Sequence, residues 1–545
     1  MPFEQETFCI LPWVHLNLNP NGTLKICCKA SSNIQSNAGE ASIYQQTLQE
    51  IWKSDDMCRI RQTMLEGKAL NECITCYSDE EITGSSYRKR QNVFWLESFP
   101  HLQALVEETR QYGIVSSSPV FYQIQPGTLC NLKCRMCSAK YSSQIERDSA
   151  HRQWADQTDT GTIVGSRFSS DLPWHEQKIF IKELLADKVE KLYFTGGEPL
   201  LIRSVIRIID EIIRRGIAGD IILKLNTNAT KVSDEFLEKA VLFKSVEISL
   251  SLDAYGQCHE YMRYPARWRD IEHGISRLIS LPNVHLVAVP IIQTYNVLYL
   301  SDLLDYLEKL KIPCSITILS WPSQLRIWSL PANVLKEAFR RVALFVKEKK
   351  PTITKPAALS FMRQLESGKS IFYQDSLHDF MLFTNDLDRS RKQSFAKSFP
   401  DLIDLLLDAG ITWQNEIFSR KKSPTNDETL TWLSDLYLKG YILADVFKKR
   451  SMRRIAVYGI GVVGKIITQD LSADNEIELF LVDKNLAGQE YCSKEIYSLE
   501  QFDEEVDVVL ISVTRMVDAI RLTLKNSNIK AKTIMTLGEL IGANK

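Results

Sequence analysis

The chain has 545 residues, enough for two to four domains that each bury a core, and its 66 Lys and Arg against 67 Asp and Glu leave a net charge of -1. So even a balance gives no long-range attraction to nucleic acid or an anionic bilayer. No run approaches the roughly 20 apolar residues that span a membrane, and no basic N-terminal stretch leads into an apolar one, so a cytoplasmic protein with no membrane or nucleic-acid partner is expected. Nine of the 12 cysteines lie before residue 138 in close clusters, a usage that in the cytosol points to metal rather than disulfides.

The first segment, residues 1–118, opens on Cys9 and a strand pattern in which Val14, Leu16 and Leu18 alternate with polar residues. Pro20-Asn21-Gly22 makes a turn, and a second short strand runs into Cys27-Cys28. The hairpin brings its ends together, so Cys9 and either Cys27 or Cys28 can face one metal centre. After a helical stretch from about Ser42 to Glu66, Cys73-x2-Cys76 supplies a second pair. Four thiolates make a closed site that suits an auxiliary [4Fe-4S] cluster or a zinc ion. The pattern C-x12-G-x4-C resembles the start of SPASM and twitch modules, and that family spacing selects Cys27 over Cys28. Those modules usually follow the catalytic barrel of radical S-adenosylmethionine (SAM) enzymes, whereas this segment comes first. Cys58 sits at helical spacing with Met57 and Ile60 and reads as a packed thiol, and His15 as a strand residue rather than a ligand.

A strand-like run, Val120 to Gln125, leads into Cys130-x3-Cys134-x2-Cys137. Three thiolates with no fourth Cys or His nearby can hold three corners of an iron-sulfur cluster and leave one metal open. Roughly 60 residues on stands Thr195-Gly196-Gly197-Glu198-Pro199, and the two motifs together resemble the radical SAM superfamily. The resemblance implies a [4Fe-4S] cluster on Cys130, Cys134 and Cys137 whose open iron is chelated by SAM, and reductive cleavage of SAM to a 5′-deoxyadenosyl radical. An electron donor such as flavodoxin or ferredoxin is implied as a partner.

Strand-like runs at Val189–Phe194, Ile221–Leu225, Ser245–Ser251, His285–Ile292 and Cys314–Leu319 alternate with helical stretches at Trp174–Leu185, Ser204–Arg215, Asp234–Leu242, Trp268–Leu281 and Ser301–Lys311. Six βα units predict a partial parallel barrel over residues 119–330, with ligands at the carboxyl ends of its strands. The resemblance carries SAM binding onto Gly196, Gly197, Glu198, Asn228, Ser251, Asp253 and Arg263. The glycines would let backbone approach the ligand, Glu198 would accept from the methionyl ammonium, Ser251 and Asp253 suit ribose hydroxyls, and Arg263 suits the methionyl carboxylate. For Asn226 and Asn228 an Asx turn closing a strand is an equal expectation. The polar stretch Ser142–Ser170, with Trp154 and Gly161 to Gly165, is either a substrate lid or a surface insertion.

Residues 331–450 are helix-rich and contain no cysteine, which predicts a helical packing or linker domain. From Ile455 the pattern changes to strand, then Gly459-x-Gly461-x-x-Gly464, then helix, with a second strand ending at Asp483. This has the form of a Rossmann-like dinucleotide fingerprint over residues 451–545. In so small a domain a purely structural role outweighs bound NAD(P) or nucleotide. Cys258, Cys314 and Cys492 are expected to be packed thiols.

The expected protein is thus α/β: a small α+β cluster-binding domain, a partial (β/α)6 radical SAM barrel, a helical domain and a Rossmann-like domain. Its expected function is oxidative radical modification of a peptide or protein side chain. A nucleotide- or carrier-linked sugar is the alternative substrate, and a non-catalytic metal-binding scaffold the alternative of another class.

Overall fold

The computed structural model describes residues 6–37, 39–109, 112–154, 172–368, 374–415, 433, 442–484, 486–513 and 517–541. It divides into two compact units, Met1–Phe418 and Ser419–Lys545. The boundary falls inside the helix-rich stretch 331–450.

In the first unit, β1 (His15–Leu18) and β2 (Leu24–Lys25) form the expected hairpin, followed by a two-residue pair, β3 (Gln35–Ser36) and β4 (Gly39–Glu40). The hairpin does not stand alone. All four residues of β1 are buried, and β1 pairs parallel with β5 (Phe121–Ile124), which continues through β6 (Lys191–Phe194), β7 (Ile222–Thr227), β8 (Ser245–Leu250) and β9 (Val284–Ala288). The result is one seven-stranded sheet in the order β2-β1-β5-β6-β7-β8-β9.

Period-two alternation divides this sheet into two chemically different faces. Leu192, Leu223, Leu225, Val246, Ile248 and Leu286 are buried on one, in the same core as Ile208, Ile209 and Ile212 of the helix Arg203–Arg214. On the other face the register aligns Lys25, Asn17, Gln123, Tyr193, Lys224, Glu247 and His285 in a single row. This row crosses a face that also carries Phe121 and Ile222 one row away, beside Lys191 and Ser245.

The sixth expected strand is reduced. Pro290 has no N–H to continue the ladder, so β9 stops at Ala288 and the chain resumes as β10 (Ile291–Ile292), paired parallel with β11 (Thr317–Ile318). A single bridge from Ala288 to Cys314 keeps this pair in line with the sheet. The helical stretch expected from Ser42 to Glu66 is two helices, Leu48–Trp52 and Asp55–Leu65, because Ser54 caps the second by accepting from the Met57 amide. A helix at Gly256–Met262 had no signal in the sequence reading. Of the stretch Ser142–Ser170, the described part forms two single-turn helices, and Gly161 to Gly165 lie outside the described residues.

Helices Ala332–Lys349, Lys355–Ser367, Gln374–Arg391, Phe395–Ser398 and Pro400–Asp408 complete the unit. Phe380 and Phe395 from these helices, and Phe399 between the last two, pack against Tyr295 of the barrel at ring-centroid distances of 5.0, 5.9 and 5.8 Å. The helical segment therefore shares the barrel's core.

The second unit holds a six-stranded sheet in the order β14-β15-β13-β12-β16-β17, formed by β12 (Arg454–Tyr458), β13 (Glu478–Val482), β14 (Glu490–Tyr491), β15 (Lys494–Tyr497), β16 (Glu505–Ile511) and β17 (Lys530–Thr536). All its pairings are parallel except β14 with β15. The β14–β15 hairpin corrects the expectation for Cys492, which is exposed in its turn with φ of 51°.

Glu308 shows how the barrel and helical segments are joined. Its carboxylate accepts from the backbone amides of Thr352, Ile353 and Thr354 and from both threonine hydroxyls. Burial pushes this carboxyl up, but the amide donors outweigh it and hold it down to about 2. An acid depressed in the folded state contributes stability that is present above its unfolded value and lost as pH falls through the folded one. The Glu308→Gln variant is therefore expected to melt below the wild type at neutral pH, with the gap closing as pH falls from about 4.5 toward 2. Paired melting curves across that range check it.

Candidate metal and cofactor centre

The cysteine loop leaves β5 at the carboxyl edge of the sheet and is fixed from several sides. The Lys133 amide donates to the Tyr264 carbonyl (2.6 Å) and the Arg135 amide to the Met262 carbonyl (2.8 Å). Asn131 Nδ2 donates to Thr230 Oγ1 (2.8 Å), and Asn228 Nδ2 donates to Asn131 Oδ1 (3.0 Å). Cys130 and Cys134 are buried and Cys137 half-buried. Burial and the neighbouring thiols push Cys130 up to about 11 and Cys137 up to about 12. Three thiols that oppose one another's ionisation make a donor set that a cationic iron-sulfur group would satisfy.

The Gly-Gly-Glu-Pro turn after β6 lies against this loop. A Cβ on Gly197 would stand 2.2 Å from the Leu129 carbonyl oxygen, and one on Gly196, at φ of +111°, 2.7 Å from that of Gly127. The glycines thus admit the backbone of the cysteine loop itself, and the Glu198 amide donates to the Leu129 carbonyl at 2.8 Å. The Glu198 side chain is 1% exposed. Its Oε1 accepts from Thr227 Oγ1 (2.8 Å) and the Leu200 amide (3.3 Å), and its Oε2 from the Asn228 amide (2.8 Å). Burial pushes this carboxyl up to about 7 against those donors.

Asp253 and Arg263 meet each other. Arg263 Nε donates to Asp253 Oδ2 at 2.7 Å, and its Nη1 lies 3.6 Å from Cys134 Sγ, which puts a guanidinium beside the cysteine loop. Asp253 Oδ1 accepts from the Ile291 amide, and Asn296 Nδ2 donates to the Asp253 carbonyl. Asn228 forms the Asx turn, its Oδ1 accepting from the Thr230 amide and hydroxyl. The Ser251 amide donates to the Thr227 carbonyl. All seven residues singled out for SAM are on the carboxyl side of β6, β7 and β8.

The second thiol group forms a separate pocket. Cys9, Cys27, Cys73 and Cys76 line one cavity together with Tyr87 and Arg88. Of the adjacent pair, Cys27 is among the lining residues and is buried, whereas Cys28 is exposed. Burial pushes Cys73 up to about 12, and Cys9 and Cys27 are also raised. Among the described residues, no three His, Cys, Asp or Glu side chains close on one point at single-ion distance. A four-iron cube takes its thiolates on separate irons, so its ligands need not meet at one point.

The sequence reading missed Arg135, between Cys134 and Cys137, and its partners Tyr261, Tyr295 and Asp388. An arginine beside a cysteine ligand was the available signal, but its partners are distant in the chain.

With this geometry in view, the family comparisons are specific. The radical SAM superfamily model matches residues 124–307, and the model of SPASM, an iron-sulfur cluster-binding domain, matches residues 9–77. The chain thus carries a radical SAM domain preceded by a SPASM domain, a pair that implies [4Fe-4S] clusters and SAM as cofactors. No curated protein sequence matches it. Among solved structures it is distantly similar to Streptococcus suis SuiB bound to S-adenosylmethionine, at 15% identity over 47% of this chain and 51% of that one, with a TM-score of 0.30. SuiB bound to precursor peptide SuiA gives 16% identity over 58% and 67%, TM-score 0.32. The radical S-adenosylmethionine methyltransferase TsrM from Kitasatospora setae, with cobalamin and a [4Fe-4S] cluster bound, gives 11% over 43% and 54%, TM-score 0.23. The chain thus spans about half the length of the SAM-bound SuiB chain. Among the described residues, no helix is long and apolar enough to cross a membrane.

The exchange Cys27→Ser is expected to strip iron from the second centre while Cys28→Ser leaves it in place. Iron and acid-labile sulfide per chain, measured with Cys130, Cys134 and Cys137 replaced by Ala, separate the two.

Proposed function

We propose that the protein modifies a peptide or protein side chain oxidatively, with the SAM-binding cluster on Cys130, Cys134 and Cys137 and a closed auxiliary cluster on Cys9, Cys27, Cys73 and Cys76. The observation that carries this reading is the docking of the three-cysteine loop against the Gly-Gly-Glu turn, with a second four-thiol cavity in the same unit. When bound, the cluster and SAM supply hydrogen abstraction from an unactivated C–H bond, delivered after reduction by a donor such as flavodoxin or ferredoxin. The chain's own residues bind and orient. Glu198 Oε2 accepts one donor among the described residues and retains a lone pair for the methionyl ammonium. Arg263, anchored by Asp253, presents its charge to the methionyl carboxylate. Asn228 and Ser251 offer polar groups at the same edge, and the backbone of Gly196 and Gly197 holds the loop beside them.

The polar face of the sheet supports an amide-rich substrate. Asn17 Oδ1 and Gln123 Oε1 are buried there without a hydrogen-bond partner among the described residues, and such acceptors suit the N–H groups of a peptide. For the nucleotide-linked sugar alternative, the relevant part is the second unit, which we read as Rossmann-like from its strand order and its glycine turn. There Asp483 accepts from the Ile460 amide with Oδ2 and from the Leu486 amide with Oδ1, which favours a structural role for the acid. We retain the segments 1–118, 119–330, 331–450 and 451–545 as the functional divisions.

Anaerobic protein reduced in the presence of SAM is expected to release 5′-deoxyadenosine, and replacing Cys130, Cys134 and Cys137 by Ala to abolish it while auxiliary iron remains. Intact cleavage in that variant would reject the assignment. Glu198→Gln is expected to weaken SAM binding by about 1.5–3 kcal/mol, the worth of a charged hydrogen bond, without loss of cluster iron. Equilibrium binding of SAM to the reconstituted variant measures it.

A further inference from the structure

Arg135 stands between two of the three cysteines, yet its side chain is fully buried and turned away toward residues late in the chain. Its Nη2 donates to Asp388 Oδ1 (2.5 Å) and Gln393 Oε1 (3.0 Å), 253 and 258 residues away. Nε and Nη1 donate to the Tyr261 carbonyl and Tyr295 hydroxyl, and the guanidinium lies 3.8 Å over the Tyr261 ring. Asp388 is held in turn, accepting from Tyr261 Oη (2.6 Å) and the Phe395 amide (2.5 Å). One turn along the same helix, Gln374–Arg391, buried Arg391 donates to His151 Nδ1 (3.0 Å) and lies 3.6 Å from Asp148, which Lys133 of the cysteine loop also approaches at 3.3 Å. Arg391 Nε and Nη1 are buried without a hydrogen-bond partner among the described residues. The Arg391 guanidinium also lies 5.7 Å over the ring of Tyr264, whose carbonyl accepts from the Lys133 amide, one residue before Cys134.

We propose that the helix Gln374–Arg391 is part of the SAM-binding cluster site: Asp388 fixes the Cys134–Cys137 segment through Arg135, and Arg391 supplies a buried positive charge toward Cys134. Both are positioning residues. A buried guanidinium is tolerated only when paired, so Arg135 stays put while Asp388 remains charged, and the two cysteines beside it keep their spacing. A three-thiolate cluster gains negative charge on reduction, so a nearby cation whose donors are not all spent favours the reduced form.

This inference rests on the cluster assignment above, and the test separates the two. Full-length, anaerobically reconstituted protein is compared as wild type, Asp388→Asn, Asp388→Glu and Arg391→Gln, with Arg340→Gln on an exposed helix face as control. Iron content, the spin-resonance signal that added SAM perturbs, its midpoint potential and the melting temperature are read. Asp388→Asn is expected to lose most of the SAM-perturbed signal while the auxiliary signal persists, with Asp388→Glu restoring part of it. Arg391→Gln is expected to disfavour reduction about tenfold, a fall of about 59 mV for a one-electron couple. A folded Asp388→Asn with full signal, or an unmoved potential in Arg391→Gln, overturns the proposal. Should the Asp388 variants not fold, the potential of Arg391→Gln decides alone. A Cys130, Cys134 and Cys137 triple Ala variant that keeps the SAM-perturbed signal would instead overturn the underlying cluster assignment.

Discussion

The site depends on one close approach of backbone to backbone. The turn after β6 meets the loop after β5 so tightly that a single methylene on Gly197 would stand 2.2 Å from the Leu129 carbonyl. That contact sets where Cys130 begins and where Glu198 can reach. Glu198 then ties the turn to the end of β7 through Thr227 and Asn228, and Asn228 ties back to Asn131 in the cysteine loop. Three adjacent strand ends are thereby locked into one rim, so a change at any of them is felt by the thiols.

Around that rim the protein sets buried cations against carboxylates. Arg263 faces Asp253, Arg135 faces Asp388, and Lys133 and Arg391 share Asp148. Buried charges cost free energy unless paired and hydrogen-bonded; Asp253 and Asp388 each accept a further backbone amide, while Arg391 keeps two nitrogens without a hydrogen-bond partner among the described residues. The pairs also join segments far apart in sequence, so a stretch that reads as a linker supplies a wall of the centre.

The sheet carries a second division of labour. Alternate residues send an apolar face to the helices and a polar row across the opposite face, from Lys25 to His285. Lys191 and Lys224 share Glu247 near that row. The parallel addition of β1 to β5 places the SPASM hairpin on the barrel sheet, so both thiol groups belong to one unit.

Much of this was legible in the sequence. Cysteine spacing needs only local chain geometry, so C-x3-C-x2-C, C-x2-C and the hairpin pair were readable directly, as were the strand and helix periods from Val120 to Lys311 and the family resemblance they carry. Tertiary structure alone decided the rest. Family spacing favours Cys27 over Cys28, but that Cys27 lines the same cavity as Cys9, Cys73 and Cys76 depends on packing that spacing does not record. The docking of Gly196 and Gly197 on the cysteine loop, the pairing of Asp253 with Arg263, and the clamp from Asp388 to Arg135 depend on contacts between residues up to 253 positions apart, whose closure is paid in chain entropy that no local pattern records. Local periodicity fixes which residues can be buried; only the packed fold fixes which buried charges meet.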